Sequence, residues 1–162
     1  MPEKKRISSL WKLAVAVIFV LLSLATVQAK TVEYHLEIAS QPVNITGKPT
    51  TAMTINGSIP GPVLRFQEGD IARIHVSNRM DVETSIHWHG ILVPPGMDGV
   101  PYISFPPIAP DATFTYEFPI RQSGTYWYHS HTGMQEQRGV YGSIVIEPPA
   151  THAGHGHRRC RL

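Results

Sequence analysis

Thr84-Ser85-Ile86-His87-Trp88-His89-Gly90 is built on His-x-His, and Tyr126-Trp127-Tyr128-His129-Ser130-His131 repeats the device about forty residues later. Successive side chains of a β-strand take opposite faces, so His87 and His89 share one face with Trp88 on the other. His129 and His131 do the same around Ser130, with Trp127 on their side and Tyr126 and Tyr128 opposite. Residues two apart on a strand stand roughly 6.6–7 Å apart, so each pair can converge on one ion or serve neighbouring ions of a cluster. Imidazole suits copper, zinc, iron or nickel. No Cys or carboxylate lies within a few residues of either pair, which weighs against a closed zinc site of the Cys/His type but leaves zinc on histidine alone open. Gly90, directly after the second histidine, lets backbone or ligand come close.

These two stretches resemble the first two copper motifs of multicopper oxidases, the group that contains laccases and ascorbate oxidase. Thr51 to Gly57, Ser85 to Gly90, Met97-Asp98-Gly99-Val100-Pro101 and Arg121 to His131 are similar to one branch, the bacterial periplasmic copper-resistance oxidases. The resemblance covers about residues 31–149, the first of the three domains of such an oxidase. It implies an all-β fold, a single cupredoxin-like Greek-key β-sandwich, with copper as cofactor. It further implies that His87 binds a type 2 copper, that His89 and His129 share one type 3 copper, and that His131 binds the other. That is half of a trinuclear cluster. The other half would come from a C-terminal cupredoxin domain or from another copy of the chain, and the blue type 1 copper from the C-terminal domain alone. Asp98 reads locally as an Asp-Gly turn former; the resemblance implies that it hydrogen-bonds water near the cluster and relays protons to oxygen. No His-Cys-His occurs, and Cys160 sits between Arg159 and Arg161, so the electron entry point is expected to lie outside this chain.

Outward from the motifs, the 162 residues allow one domain. Lys4, Lys5 and Arg6 precede an apolar run from Leu13 to Leu24, and Val27-Gln28-Ala29 offers small residues for cleavage. Residues 1–29 therefore read as a secretory signal peptide, and the protein as periplasmic from Lys30 onward. The run is short of the ~20 apolar residues of a membrane span, so no stable anchor remains after cleavage. The leader takes with it four of 14 basic residues and one of 12 acidic ones, leaving ten against eleven. Near-neutrality makes no case for nucleic acid as a partner.

Val32, Tyr34, Leu36 and Ile38 alternate with Glu33, His35 and Glu37, and Ala72, Ile74 and Val76 with Arg73, His75 and Ser77. Both are strands with one buried face, which puts His35 and His75 on wet faces as surface residues rather than ligands. Ala52 to Asn56 reads as a strand ending in the Asn56-Gly57 turn, and Val63 to Phe66 as a short one after Pro60-Gly61-Pro62. Ile91 to Asp111, with six prolines, reads as a loop, and loops this long inside a compact domain are usually functional or disordered. Phe114, Tyr116 and Phe118 mark another half-buried strand, the aromatics around His129 are mostly core, Thr132 to Arg138 allows one helical turn, and Val140 to Ile146 is the last strand. Seven or eight short strands make a sandwich over residues 30–149. Residues 150–162 have the composition of a disordered tail, whose His152, His155 and His157 can bind metal only loosely.

Two functions follow. One is the N-terminal domain of a copper oxidase, acting on Cu(I) or phenols with oxygen in the complete enzyme. The alternative is a stand-alone exported copper-binding and buffering protein without turnover.

Overall fold

A computed structural model describes residues 29–149. The expected leader, apart from Ala29, and the expected tail with His152, His155, His157 and Cys160 lie outside the described residues.

Alternating apolar positions build eight strands: β1 (Thr31–Val43), β2 (Thr50–Ile55), β3 (Leu64–Gln67), β4 (Ile71–Asn78), β5 (His87–His89), β6 (Thr113–Pro119), β7 (Gly124–His129) and β8 (Tyr141–Glu147). They form two four-stranded sheets, ordered β2-β1-β4-β6 and β3-β8-β7-β5. β1 with β4 and β3 with β8 pair in parallel, and the other neighbours are antiparallel. The strand count and the half-buried faces agree with the sequence reading. Asn56 and Gly57 turn the chain with positive φ, as expected of that dipeptide.

Leu36, Ile38, Ala72, Ile74, Val76, Tyr116 and Phe118 line the inner face of the first sheet, against Leu64, Phe66, Trp88, Tyr128, Ile144 and Ile146 from the second. Trp88 is the largest of these. It meets Tyr116 edge-on at 5.0 Å between ring centroids and leans on Phe118 at 5.5 Å. Its buried Nε1–H has no protein partner, at a cost on the order of 1–3 kcal/mol. Truncating so large a buried ring costs about 3–5 kcal/mol, so packing outweighs the unpaired donor.

The segment from Ile91 to Asp111 is indeed without strands apart from isolated bridges, and it holds one 3-10 turn, Pro95–Met97. It is pinned by buried Ile91, Phe105 and Ile108 and by a bridge between Thr84 and Ile108. The helical turn expected over Thr132 to Arg138 is a string of turns, with Arg138 N–H bonded to both Met134 O and Gln135 O. Among the described residues no helix is long and apolar enough to cross a membrane.

Candidate metal centre

Trp88 decides where the histidines go. Its ring is locked in the core, so the alternation of β5 turns His87 and His89 outward from the sandwich. β5 pairs antiparallel with β7 so that His87 stands opposite His129 and His89 opposite Trp127. One donor nitrogen from each of His87, His89 and His129 lies within 4.8 Å of the others. His131 falls just past the end of β7, outside that tight trio. Its ring still stands 5.3 Å from that of His87 and 5.6 Å from that of His129. All four imidazoles therefore share one cluster, three in close approach and the fourth at its rim.

Two of the three inner imidazoles, His87 and His129, are oriented from behind. His87 Nδ1 lies 2.7 Å from the carbonyl oxygen of Asp98 and 3.4 Å from its Oδ1. His129 Nδ1 lies 3.0 Å from the carbonyl of Ser130 and 2.9 Å from Glu136 Oε2. Acceptors at Nδ1 select the Nδ1–H tautomer and leave the Nε2 lone pair of each ring free for a ligand. His129 Nε2 duly faces His89 Nδ1 at 3.4 Å. Burial holds His129 below the ordinary imidazole range, and nearby His87 and His131 add to this, while Ser130 and Glu136 work in the opposite direction. The ring thus stays neutral, and able to bind metal, at a lower pH than a free imidazole.

Buried Gln135 ties the two histidine segments together. Its Oε1 accepts from Thr84 Oγ1 at 2.7 Å and Ser130 Oγ at 2.9 Å, and its Nε2 donates to Glu83 O at 2.7 Å. Ser85 Oγ accepts the backbone N–H of His131 at 3.0 Å, which fixes the fourth histidine although it has left the strand. Trp127 stacks on His129 with centroids 4.1 Å apart and planes 17° apart, and tilts against His89 at 5.1 Å. Of the aromatics read as core around this strand, Tyr128 is fully buried and Tyr126 packs at the core's edge, whereas Trp127 forms a wall of the cluster. Gly90 takes φ +82°, and a side chain there would meet the Tyr126 ring, so its place is explained by the turn that follows β5.

No carboxylate lies within a few residues of either pair in sequence, but the fold brings one against the cluster. Glu136 is seven residues beyond His129 in sequence, yet the turns over residues 133–139 fold it back onto that ring. It contacts the histidine from behind, on Nδ1, so it does not turn the cluster into a carboxylate-ligated site. Glu136 and Gln135 were both missed from the sequence; the allowance for a helical turn after His131 was the one available signal. On the outer face of the first sheet His35 and His75 point to solvent, as the alternation requires, but they are not isolated there, and Glu33 joins them in a second group of close donors.

The family profile described as multicopper oxidase matches residues 37–151. Over 115 residues the chain is 59% identical to copper resistance protein A of Pseudomonas syringae pv. tomato and 56% identical to that of Escherichia coli, in each case 71% of this chain and 19% of the relative. The chain thus spans about a fifth of the length of these curated relatives. A solved multicopper oxidase from Pseudomonas thermotolerans superposes with a TM-score of 0.72 at 40% identity, covering 75% of this chain and 30% of that one.

Proposed function

We propose, since this chain belongs to the multicopper oxidase family, that residues 30–149 are the N-terminal copper-binding domain of a copper-resistance oxidase. The observation that supports this most is the convergence of His87, His89 and His129, with His131 at the rim, on one outward-facing patch. The donor set fits copper: imidazole nitrogens, two of them with Nδ1 already engaged by acceptors and Nε2 free. His89 and His131 are exposed whereas His129 is buried. The cluster is walled on one side and open on the other, as suits a site completed by a second cupredoxin domain or by another copy.

Within such an enzyme His87 would serve the type 2 copper, His89 and His129 one type 3 copper, and His131 the other. Copper held there would pass electrons to oxygen, four per O2 reduced to two waters, each taken from a Cu(I) ion or a phenol and matched by one proton. Glu136 and Ser130 hold His129 in its tautomer, and Asp98 does the same for His87. The Asp98 carboxylate keeps 37% of its side-chain surface exposed, with Oδ1 3.4 Å from His87 Nδ1. In the complete enzyme it would take protons from bulk water and release them beside the cluster.

Four imidazoles without a thiolate site predict binding without turnover. The copper-loaded polypeptide ending at Leu162 is expected to lack intense thiolate-to-copper absorption and to consume oxygen with Cu(I) or a phenol near the free-copper background. Activity gained on adding a C-terminal cupredoxin domain supports the reading. Strong blue colour with rapid oxygen consumption by this polypeptide alone overturns it, and copper loading with no gain from any added domain points to buffering instead.

We also infer export to the periplasm, with the mature chain starting at Lys30, from the charged, apolar and small-residue regions of residues 1–29. The N-terminal mass of the exported product checks this; an intact Met1 in the membrane fraction would refute it.

A further inference from the structure

β1, β4 and β6 lie side by side in the first sheet, and their outward side chains form rows across it. His35 is in register with His75, and His75 with Thr115. In the next row Glu33 is in register with Arg73, and Arg73 with Glu117. Arg73 is committed to Glu117, with Nε 2.6 Å from Oε2, and reaches Glu33 only at 3.9 Å. Glu33 leans instead toward the histidine row. Its Oε1 stands 3.0 Å from His75 Nε2 and 3.4 Å from His35 Nε2, and the two rings stack with centroids 4.6 Å apart and planes 16° apart. Two nitrogens and one carboxylate oxygen thus lie within 4.8 Å of one another.

We propose that Glu33, His35 and His75 form a second metal site, independent of the His87 cluster, which takes a divalent transition-metal ion with Cu(II) preferred over Zn(II). The spacing suits one ion: donors bound at about 2.0–2.1 Å with angles between tetrahedral and right-angled stand roughly 2.9–3.4 Å apart, and the two nitrogen-to-oxygen distances, 3.0 and 3.4 Å, fall in that interval. His75 Nδ1 lies 2.9 Å from Thr115 Oγ1. That contact lets Nδ1–H donate outward while Nε2 turns its lone pair to the ion, the usual arrangement behind a ligating histidine. Two imidazoles with a hard carboxylate favour Cu(II) over Cu(I), and among divalent ions copper leads the affinity order. A plain surface ion pair is the competing account. Such pairs contribute little, and here both imidazole nitrogens converge on a single carboxylate oxygen while the nearby arginine is held by another partner. Glu33 and His35 are exposed, so an ion reaches the site from solvent without passing the His87 cluster.

The test uses the full chain carrying His152→Ala, His155→Ala and His157→Ala, with histidine-ring NMR signals followed as Cu(II) is added. The His35 and His75 signals are expected to broaden before about three equivalents are present, and His35→Ala to weaken binding at the remaining pair at least ~30-fold. Thr115→Val, which removes the acceptor behind His75, should cost about 10-fold. His89→Ala should leave the response of His35 and His75 unchanged. Signals from both residues that persist beyond about ten equivalents, or that broaden just as readily in the Glu33→Gln variant, overturn the proposal. Because His35 is on the surface, unchanged circular dichroism of His35→Ala separates loss of the site from loss of the fold.

Discussion

His129→Ala will weaken Cu(I) binding at the His87 cluster at least ~100-fold, beyond the roughly 10–100-fold that follows loss of a partner behind a ligand. His129 is the most buried member, the ring opposite His87 in the ladder, and the one whose Nε2 faces His89. Removing it breaks the tight trio rather than trimming its rim. Glu136→Gln keeps an acceptor near Nδ1 but removes the charge, so it should cost less, about 10-fold. Chelator competition under reducing conditions measures both, with circular dichroism confirming that the sandwich survives. Wild-type affinity in His129→Ala would disprove the cluster as a copper site. If Glu136→Gln binds as wild type while His129→Ala does not, the carboxylate does not orient the ring.

Gly99→Ala should be the most damaging single methyl group on the site side of the domain. Gly99 has φ +73°, and a Cβ there would lie 1.7 Å from the carbonyl oxygen of Ile86 and 2.6 Å from its carbon. Both atoms are backbone, so no rotamer change relieves the clash. Displacing the chain before β5 or sliding the Pro95–Met97 turn away are the remaining outcomes. A cost of about 3 kcal/mol or more is expected, seen as melting roughly 10 °C lower. Copper affinity should fall with it, because Ile86 adjoins His87 and the neighbouring Asp98 carbonyl orients that ring. Gly96→Ala is the control, since a Cβ there meets nothing within 4 Å. Melting of Gly99→Ala within about 2 °C of the parent would show that the close approach is absent.

Period-two alternation made most of this fold legible, because each sheet buries one face and the pattern is local. Trp88 between His87 and His89 carried the direction of the first pair for the same reason. His131 was harder: β7 ends at His129, and the fourth ring is held by Ser85, a residue 46 positions earlier. Glu136 and Gln135 were illegible because they act from irregular turns, where no period says which way a side chain faces. His35 and His75 were rightly placed on wet faces, but alternation is silent about neighbours across strands. Their meeting depends on the parallel register of β1 with β4, a pairing between segments 40 residues apart.

The order of strands across the two sheets also decides when the parts can assemble on a chain that is made from its N-terminus. The first sheet draws on nothing beyond Pro119, whereas the two central strands of the second, β7 and β8, come last. Leu64 waits for Ile144, and His87 waits for His129. Until those strands arrive, the inner face of the first sheet has no cover and β3 and β5 have no partners, a state open to wrong pairings. The histidine cluster is consequently among the last features to come into being. A metal ion held by both histidine pairs would need β7 in place, so such binding would not nucleate the domain from its N-terminal half.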